Sequence, residues 1–470
     1  MHSPPPPARA AGADASTAAP LPPTLSQAWR FWLKLGCISF GGPAGQIALM
    51  HEELVERRRW ISERRFLHAL NYCMVLPGPE AQQLATYIGW LLHRTWGGIV
   101  AGALFVLPSL ALLIGLSWLY MAHGDVPVVA GVFYGIKPAV TALVVQAAWR
   151  VGGRTLKNGW LWGIAVAAFV ALFALELPFP LIVLGAALIG HLGGRFAPQS
   201  FMAGSGGGAH GGGGSSGQGA AQAPPALIDD DTPTPPHARF SWPRFRAVLL
   251  VGGGLWLAAM AGLVTLQGWQ GTLTQMGWFF TKAALLTFGG AYAVLPYVHQ
   301  GAVEHFHWLT AAQMMDGLAL GESTPGPLIM VVAFVAYVGG WTSAVFGPGA
   351  LPLAGAVAAV VVTFFTFLPS FVFILLGGPF IESTHGQLRF AAPLTAITAA
   401  VVGVIVNLAV FFAVHVLWPQ GLGGRFDTAS AVIGVLAGVA LMRLKWGVLP
   451  VLALAGLAGV GWRMLPLAGG

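Results

Sequence analysis

The sequence predicts an all-α polytopic membrane protein made of two inverted repeats, and three observations carry that expectation. Hydrophobic residues fill 56% of the 470 positions and charged ones only 8%, so a soluble domain of this composition could not cover itself in polar surface. Lys34, Phe40-Gly41-Gly42, Trp60 and Pro77-Gly78-Pro79 recur as Lys282, Phe288-Gly289-Gly290, Trp308 and Pro325-Gly326-Pro327, all at one offset of 248 residues. Such a constant offset marks an internal duplication. The loop of the first copy holds Arg57, Arg58, Arg59, Arg64 and Arg65, whereas its counterpart holds no Lys or Arg. Basic loops stay cytoplasmic, so the two loops are expected on opposite sides of the membrane.

Residues 1–24 are rich in Pro and Ala without an apolar signal core, and read as a disordered tail. Taking about 20 apolar residues per crossing, the first repeat, residues 25–195, offers segments near 27–50, 66–92, 95–121, 126–150, 158–176 and 178–194. Residues 196–243 are rich in Gly, Ser and Pro and include Asp229, Asp230 and Asp231, a flexible linker by composition. A connecting span at 244–268 has no counterpart in the first half, and an unpaired crossing would turn the second copy upside down. The second repeat, 269–470, offers segments near 273–299, 310–340, 350–378, 390–418, 427–443 and 446–467. Leu107-Pro108-Ser109 recurs as Leu368-Pro369-Ser370, now shifted by 261. Each repeat thus has two segments broken at FGG and PGP, followed by four transmembrane helices. If the broken segments re-enter, the arginine loop falls inside with most other basic residues; if all thirteen segments cross, it falls outside, against the charge rule.

Gly pairs and PGP break a helix, because proline removes a donor while glycine frees the backbone. At membrane depth such breaks persist where backbone lines a cavity or is buried in protein. A half-helix starting after Pro79 or Pro327 turns its positive end and free N–H groups toward whatever precedes it, which suits an anion. One PGP alone is as well explained by a packing kink; four breaks in matched pairs favour a site made of Gly41, Gly42, Pro77, Gly78, Pro79, Gly289, Gly290, Pro325, Gly326 and Pro327. Lys34, Lys137 and Lys282 would add positive charge, although Lys34 and Lys282 lie close enough to segment ends to snorkel. Lys137 is near mid-run, and the following Pro138 predicts local unwinding. Glu80, Glu322 and Asp316 can pair with the lysines or take a proton, and Ser323 and Thr324 offer neutral hydrogen bonds. Trp60 and Trp308 read as interfacial anchors.

The net charge of +7 does not point to nucleic acid, since the basic residues flank apolar runs instead of forming a stripe. Cys37 and Cys73 share no metal-ligand or disulfide spacing and read as packed thiols. An integral-membrane transferase would need acidic metal-binding clusters at helix ends, and the one acidic cluster lies in the linker. No cofactor or metal is expected.

The stretch from Phe40 to His93, with its weaker copy from Thr287, resembles the chromate transporter family in its long, two-domain form. FGG and PGP with the tryptophan between them, twice, make the resemblance specific, and it spans nearly the whole chain except tail and linker. It implies a carrier of the bacterial inner membrane that exports chromate, driven by the membrane potential or proton gradient, and confers chromate resistance. A sulfate or other anion carrier is the alternative within transport. The implied partners are chromate or a sulfate-like anion, the lipid bilayer and a second copy of the chain as a homodimer. The second copy departs from the first by Ala291 in place of Pro43 and by the missing arginine loop, which places the better-defined half of the site in the first copy.

Overall fold

The computed structural model describes residues 20–40, 42–124, 126–202, 225–230, 232–233, 235–288, 290–383 and 391–464. Tail residues 1–19, linker residues 203–224, Asp231, Gly41 and Gly289 lie outside the described residues. The regular secondary structure of the described residues is all helical apart from one isolated bridge between Ile61 and Ile228. Six of its helices are long and apolar enough to cross a membrane, and four shorter helices are also apolar.

Local chemistry sets the helix ends. α1 (Leu25–Ile38) begins with Thr24, whose hydroxyl accepts from the Gln27 N–H while the Gln27 amide returns to the Thr24 N–H, a capping box. α2 (Gly42–His51) runs into a π-helical turn (Glu52–Arg57), and α3 (Glu63–Val75) is capped by Ser62. α4 (Glu80–His123) starts directly after PGP and kinks at His93 and Arg94, whose backbones leave the helical region. The apolar run expected at 27–50 is therefore two helices, and that at 66–92 is α3 plus the start of α4. α5 (Pro127–Thr155), α6 (Gly159–Phe173), α7 (Phe179–Phe196) and the short α8 (Pro198–Met202) follow.

After α9 (Trp242–Gln267), the same order returns. α10 (Thr272–Leu286) and α11 (Ala291–His299) lead into a π-helical turn at Gln300–His305, and then come α12 (Ala311–Ser323), a 3-10 turn at Leu328–Met330 and α13 (Val331–Thr342). At the offset of 248, the two π turns and the helices α3 and α12 coincide residue for residue. So do the left-handed backbones of Arg59 and His307, with φ of 52° and 54°. α14 (Leu351–Ser383), α15 (Ala391–Leu417), α16 (Thr428–Met442) and α17 (Val448–Met464) complete the chain.

The halves interlock. α5 packs against α15, α16 and α17 of the second half, while α15 packs against α5, α6 and α7 of the first. α4 and α14 cross between them, with α1 beside α4 and α10 beside α14. Where α5 meets α17, a Cβ at Gly135 would fall 1.9 Å from the Ala455 carbonyl oxygen, so close backbone approach depends on glycine, as is usual between membrane helices. α5 runs through Pro138 without a break. The unwinding expected there does not occur, because the helices packed around α5 keep its backbone helical despite one missing N–H.

Three side chains are placed differently from expectation. Trp60 and Trp308 are each only 5% exposed; Trp60 packs edge-on to Phe31, and Trp308 stacks on Phe306 at 4.4 Å. Both anchor the loop interior, not an interface, because the turn after each π segment folds its aromatic ring back onto α1 or α10. Cys73 is buried as expected, but Cys37 is exposed, since it lies outside the buried stripe of α1 formed by Ala28, Phe31, Trp32, Leu35 and Gly36.

The described end of the linker is docked. The Leu227 and Ile228 N–H groups donate to the Arg59 and Trp60 carbonyls, and the Ser62 N–H donates to the Ile228 carbonyl. The Ser62 hydroxyl donates to Asp230, and Arg65 to the Thr232 carbonyl. At the second loop, the Gln300 side chain accepts from the Phe179 N–H at 3.2 Å and so sits at the α6–α7 connection.

Candidate substrate site

The breaks meet by exchange. The Gly78 N–H of the first PGP donates to the Thr287 carbonyl beside the second FGG at 2.8 Å, and the Gly326 N–H of the second PGP donates to the Ser39 carbonyl beside the first at 2.9 Å. Ser39 and Thr287, like Gly78 and Gly326, are related by the 248 offset, so each half closes the break of the other in a two-fold, self-complementary contact. Gly78 and Gly326 have φ of 126° and 104°, which L side chains rarely adopt. A Cβ would also fall 2.4 Å from Ser370 Oγ at Gly78 and 2.7 Å from Ser109 Cβ at Gly326. The LPS serines thus line the PGP loops crosswise, each against the loop of the opposite half.

The lining has spare hydrogen-bonding capacity. Ser109 Oγ, Ser370 Oγ and the Oε1 atoms of Gln46, Gln82 and Gln83 are buried and have no partner among the described residues. The N–H groups of Glu80, Ala81 and Gln82, and of Leu328 and Ile329, have no acceptor there either. Free N–H groups and hydroxyls at the positive ends of two half-helices can hold an anion. The amide orientations follow from what their nitrogens bind: Gln46 donates to the Gly326 carbonyl at 2.5 Å and Gln83 to the Pro77 carbonyl at 2.7 Å. Their free oxygens are acceptors, suited to water or to the O–H of a protonated oxyanion.

The charged candidates are spread out. Lys34 and Lys282 are exposed; the Lys282 ammonium lies over the Trp278 ring at 5.6 Å, and neither makes a polar contact with the breaks among the described residues. Lys137 Nζ is 3.4 Å from Asp316 Oδ2, which also accepts from the Tyr120 hydroxyl at 2.9 Å. Glu80 is half-buried at the start of α4. Glu322 is buried and accepts from the Tyr292 hydroxyl. Ser323 and Thr324 donate to the Leu320 and Gly321 carbonyls, finishing α12 and not reaching into the site. Pro77, Pro79, Pro325, Pro327, Gly42 and Gly290 form the loop walls, with Gly42 and Gly290 left-handed at φ of 70° and 97°.

The family model for "Chromate transporter" matches residues 26–191 and 274–460, that is, both halves and both pairs of breaks. The chain belongs to the chromate transporter family. Among its relatives, the "Chromate transport protein" of Pseudomonas aeruginosa is 32% identical over 470 residues, covering 97% of this chain and 96% of the relative. The "Chromate transport protein" of Cupriavidus metallidurans is 28% identical over 469 residues, covering 99% of each. The "Uncharacterized transporter YwrB" of Bacillus subtilis is 30% identical over 155 residues, 32% of this chain and 79% of that protein. No solved structure matches.

In this member of the chromate transporter family the two copies furnish unequal side chains. Gln46, Gln82 and Gln83 of the first face Val294, Met330 and Val331 at the matching positions of the second, while the second alone has Asp316 and Glu322 in place of His68 and Met74. Several functional candidates had no motif to mark them. Ser109 and Ser370 were visible as a repeated LPS but not as lining. His51 with Glu56 and His299 with Glu304 pair across the two π turns at 3.3 and 3.2 Å, and the 248 offset would have found them. Buried Glu382 takes Arg65 at 2.9 Å and the Tyr87 hydroxyl at 2.5 Å, and no sequence signal joins these three. A cavity of about 790 Å³ runs along α3, bounded by Arg59, Arg64, His68 and Asn71 and by Asp229 and Asp230 of the docked linker.

Proposed function

We propose that the chain is a carrier of the bacterial inner membrane that exports chromate, giving chromate resistance, with the anion held where the two PGP loops exchange hydrogen bonds. The reciprocal Gly78–Thr287 and Gly326–Ser39 bonds, with unpartnered donors around them, carry this reading together with the family. The names of the full-length relatives support chromate as the substrate.

Contacts at the two loops support inverted, re-entrant repeats. The linker docks on the arginine loop, so both share one side of the membrane. With every expected segment crossing, five crossings would separate them and put them on opposite sides; with re-entrant breaks, four crossings return them to the same side. The second loop meets the α6–α7 connection through Gln300, one crossing of α7 away from the linker side. The arginine loop is then cytoplasmic and the second loop periplasmic.

Direction follows from charge. A dianion leaving an inside-negative cell gains about 4.6 kcal/mol per 100 mV, enough to drive export without further coupling. Uptake of labelled chromate into inside-out vesicles tests the reading, with sulfate as competitor and an uncoupler as control. Accumulation that collapses with the potential is expected; vesicles from expressing and empty cells that accumulate equally would overturn it, and stronger inhibition by sulfate than by unlabelled chromate would reassign the substrate.

A further inference from the structure

We propose that Asp316 is a proton-binding site linked to the substrate anion through Lys137, so that one proton is taken up for each oxyanion bound; this rests on the carrier reading above.

The geometry is uneven in a way that a purely structural ion pair would not need. Lys137 and Tyr120 both approach Oδ2 of Asp316, while Oδ1 is buried without a partner among the described residues. The Asp316 side chain is 4% exposed and that of Lys137 is 27% exposed. Lys137 therefore keeps a route to solvent or to an entering ligand, and two of its three N–H donors have no acceptor among the described residues. Lys137 and Tyr120 are the side chains that meet the aspartate among the described residues. α12 packs on α4, α5, α13, α15 and α17, which also carry Glu80, Tyr87, His93, Arg94 and His123 (α4), Tyr134, Arg150 and Arg154 (α5), Tyr337 (α13), His415 (α15) and Arg463 (α17), and among the described residues none of these pairs with Asp316.

A dianion drawing the Lys137 ammonium to itself would leave Asp316 as a buried carboxylate with one neutral hydroxyl donor, a state that proteins avoid by neutralising the group. The step balances simply. The ammonium–carboxylate contact breaks, an ammonium–oxyanion contact forms, and a proton from water converts the carboxylate to the acid, whose O–H can then donate. The cargo with its linked proton carries a net charge of minus one, so the membrane potential still drives it outward, with half the charge of the bare dianion.

The test is calorimetric titration of chromate into the purified full-length carrier at about pH 8, where the free anion is a dianion, in buffers of different ionisation enthalpy, which counts protons per anion. A count of one in the parent and of zero in Asp316→Asn is expected. Should Asp316→Asn fail to give monodisperse protein, Lys137→Gln must also bring the count to zero, since no ammonium remains to be shared. Anion binding by the parent with no proton uptake, or a count of one in either variant, would overturn the inference and leave the carrier reading standing. Absence of any chromate binding by the parent would overturn both.

Discussion

Two buried clusters tie the halves together, each of one acid, one base and one tyrosine, and they are satisfied to different degrees. At the arginine-loop end, Glu382 receives Tyr87 on one oxygen and Arg65 on the other, and Arg65 passes a further bond to the linker at Thr232. On α12, Asp316 takes both donors on one oxygen and leaves the other bare. The base differs as well: a planar guanidinium with a side chain 15% exposed in the first, a single ammonium at 27% in the second. Full satisfaction of the carboxylate suits a staple, since both Glu382 oxygens already have donors and neither is left to take a proton or a new partner. Spare capacity suits a group that changes partners.

The comparison is broken most directly at Lys137. Lys137→Gln should abolish chromate transport in vesicles while expression and detergent stability stay near the parent, because Asp316 can neutralise itself; Lys137→Arg should retain part of the activity. A Gln variant transporting at the parent rate would make this pair as structural as the other. At the staple the order of effects reverses. Arg65→Ala strands Glu382 beside Tyr87, and removing one partner of a buried pair costs about 3–5 kcal/mol. Thermal unfolding in detergent should register a large loss of stability, and an unchanged melting temperature would show that the cluster is not holding α3 to α14.

Which end is which can be sharpened by labelling. In a Cys37→Ser background, which removes the exposed native thiol, cysteines at Glu56 and Glu304 occupy matching exposed positions on the two π turns. A membrane-impermeant reagent added to intact cells should modify the Glu304 position alone; equal labelling from one face would end the inverted arrangement. Deleting residues 203–220, which stops short of the docked segment, should leave transport nearly unchanged, and loss of transport in a deletion that still reaches the membrane would give the linker a part in the site.

The smallest effect concerns the second π turn. The His299 hydrogen bond, outweighing burial, holds the Glu304 carboxyl below its ordinary value of 4.5. A depressed folded value means that this contribution to stability is complete above the unfolded value and fades as the pH falls below about 4.5. The Glu304 side chain is 57% exposed, so solvent screening keeps the contribution below about 1 kcal/mol. Glu304→Gln should slightly flatten the acid limb of the stability profile, and an identical limb in parent and variant would show the pair to be without weight.

Composition, the duplication and the four helix breaks were determined by the sequence alone, because each depends on local chemistry. Apolar runs need lipid, glycine and proline act on their own backbone, and a repeat at constant offset must fold into like pieces, as the matching π turns do. Tertiary structure alone decided how those pieces serve a site. That the PGP loop of each half bonds across to the flank of the other, that Lys137 finds Asp316 179 residues away, that Trp60 and Trp308 turn inward and that α5 stays helical through Pro138 all depend on which surfaces of two interlocked halves face each other. Hydrophobic patterning cannot specify this, since in a membrane both lipid-facing and protein-facing surfaces are apolar.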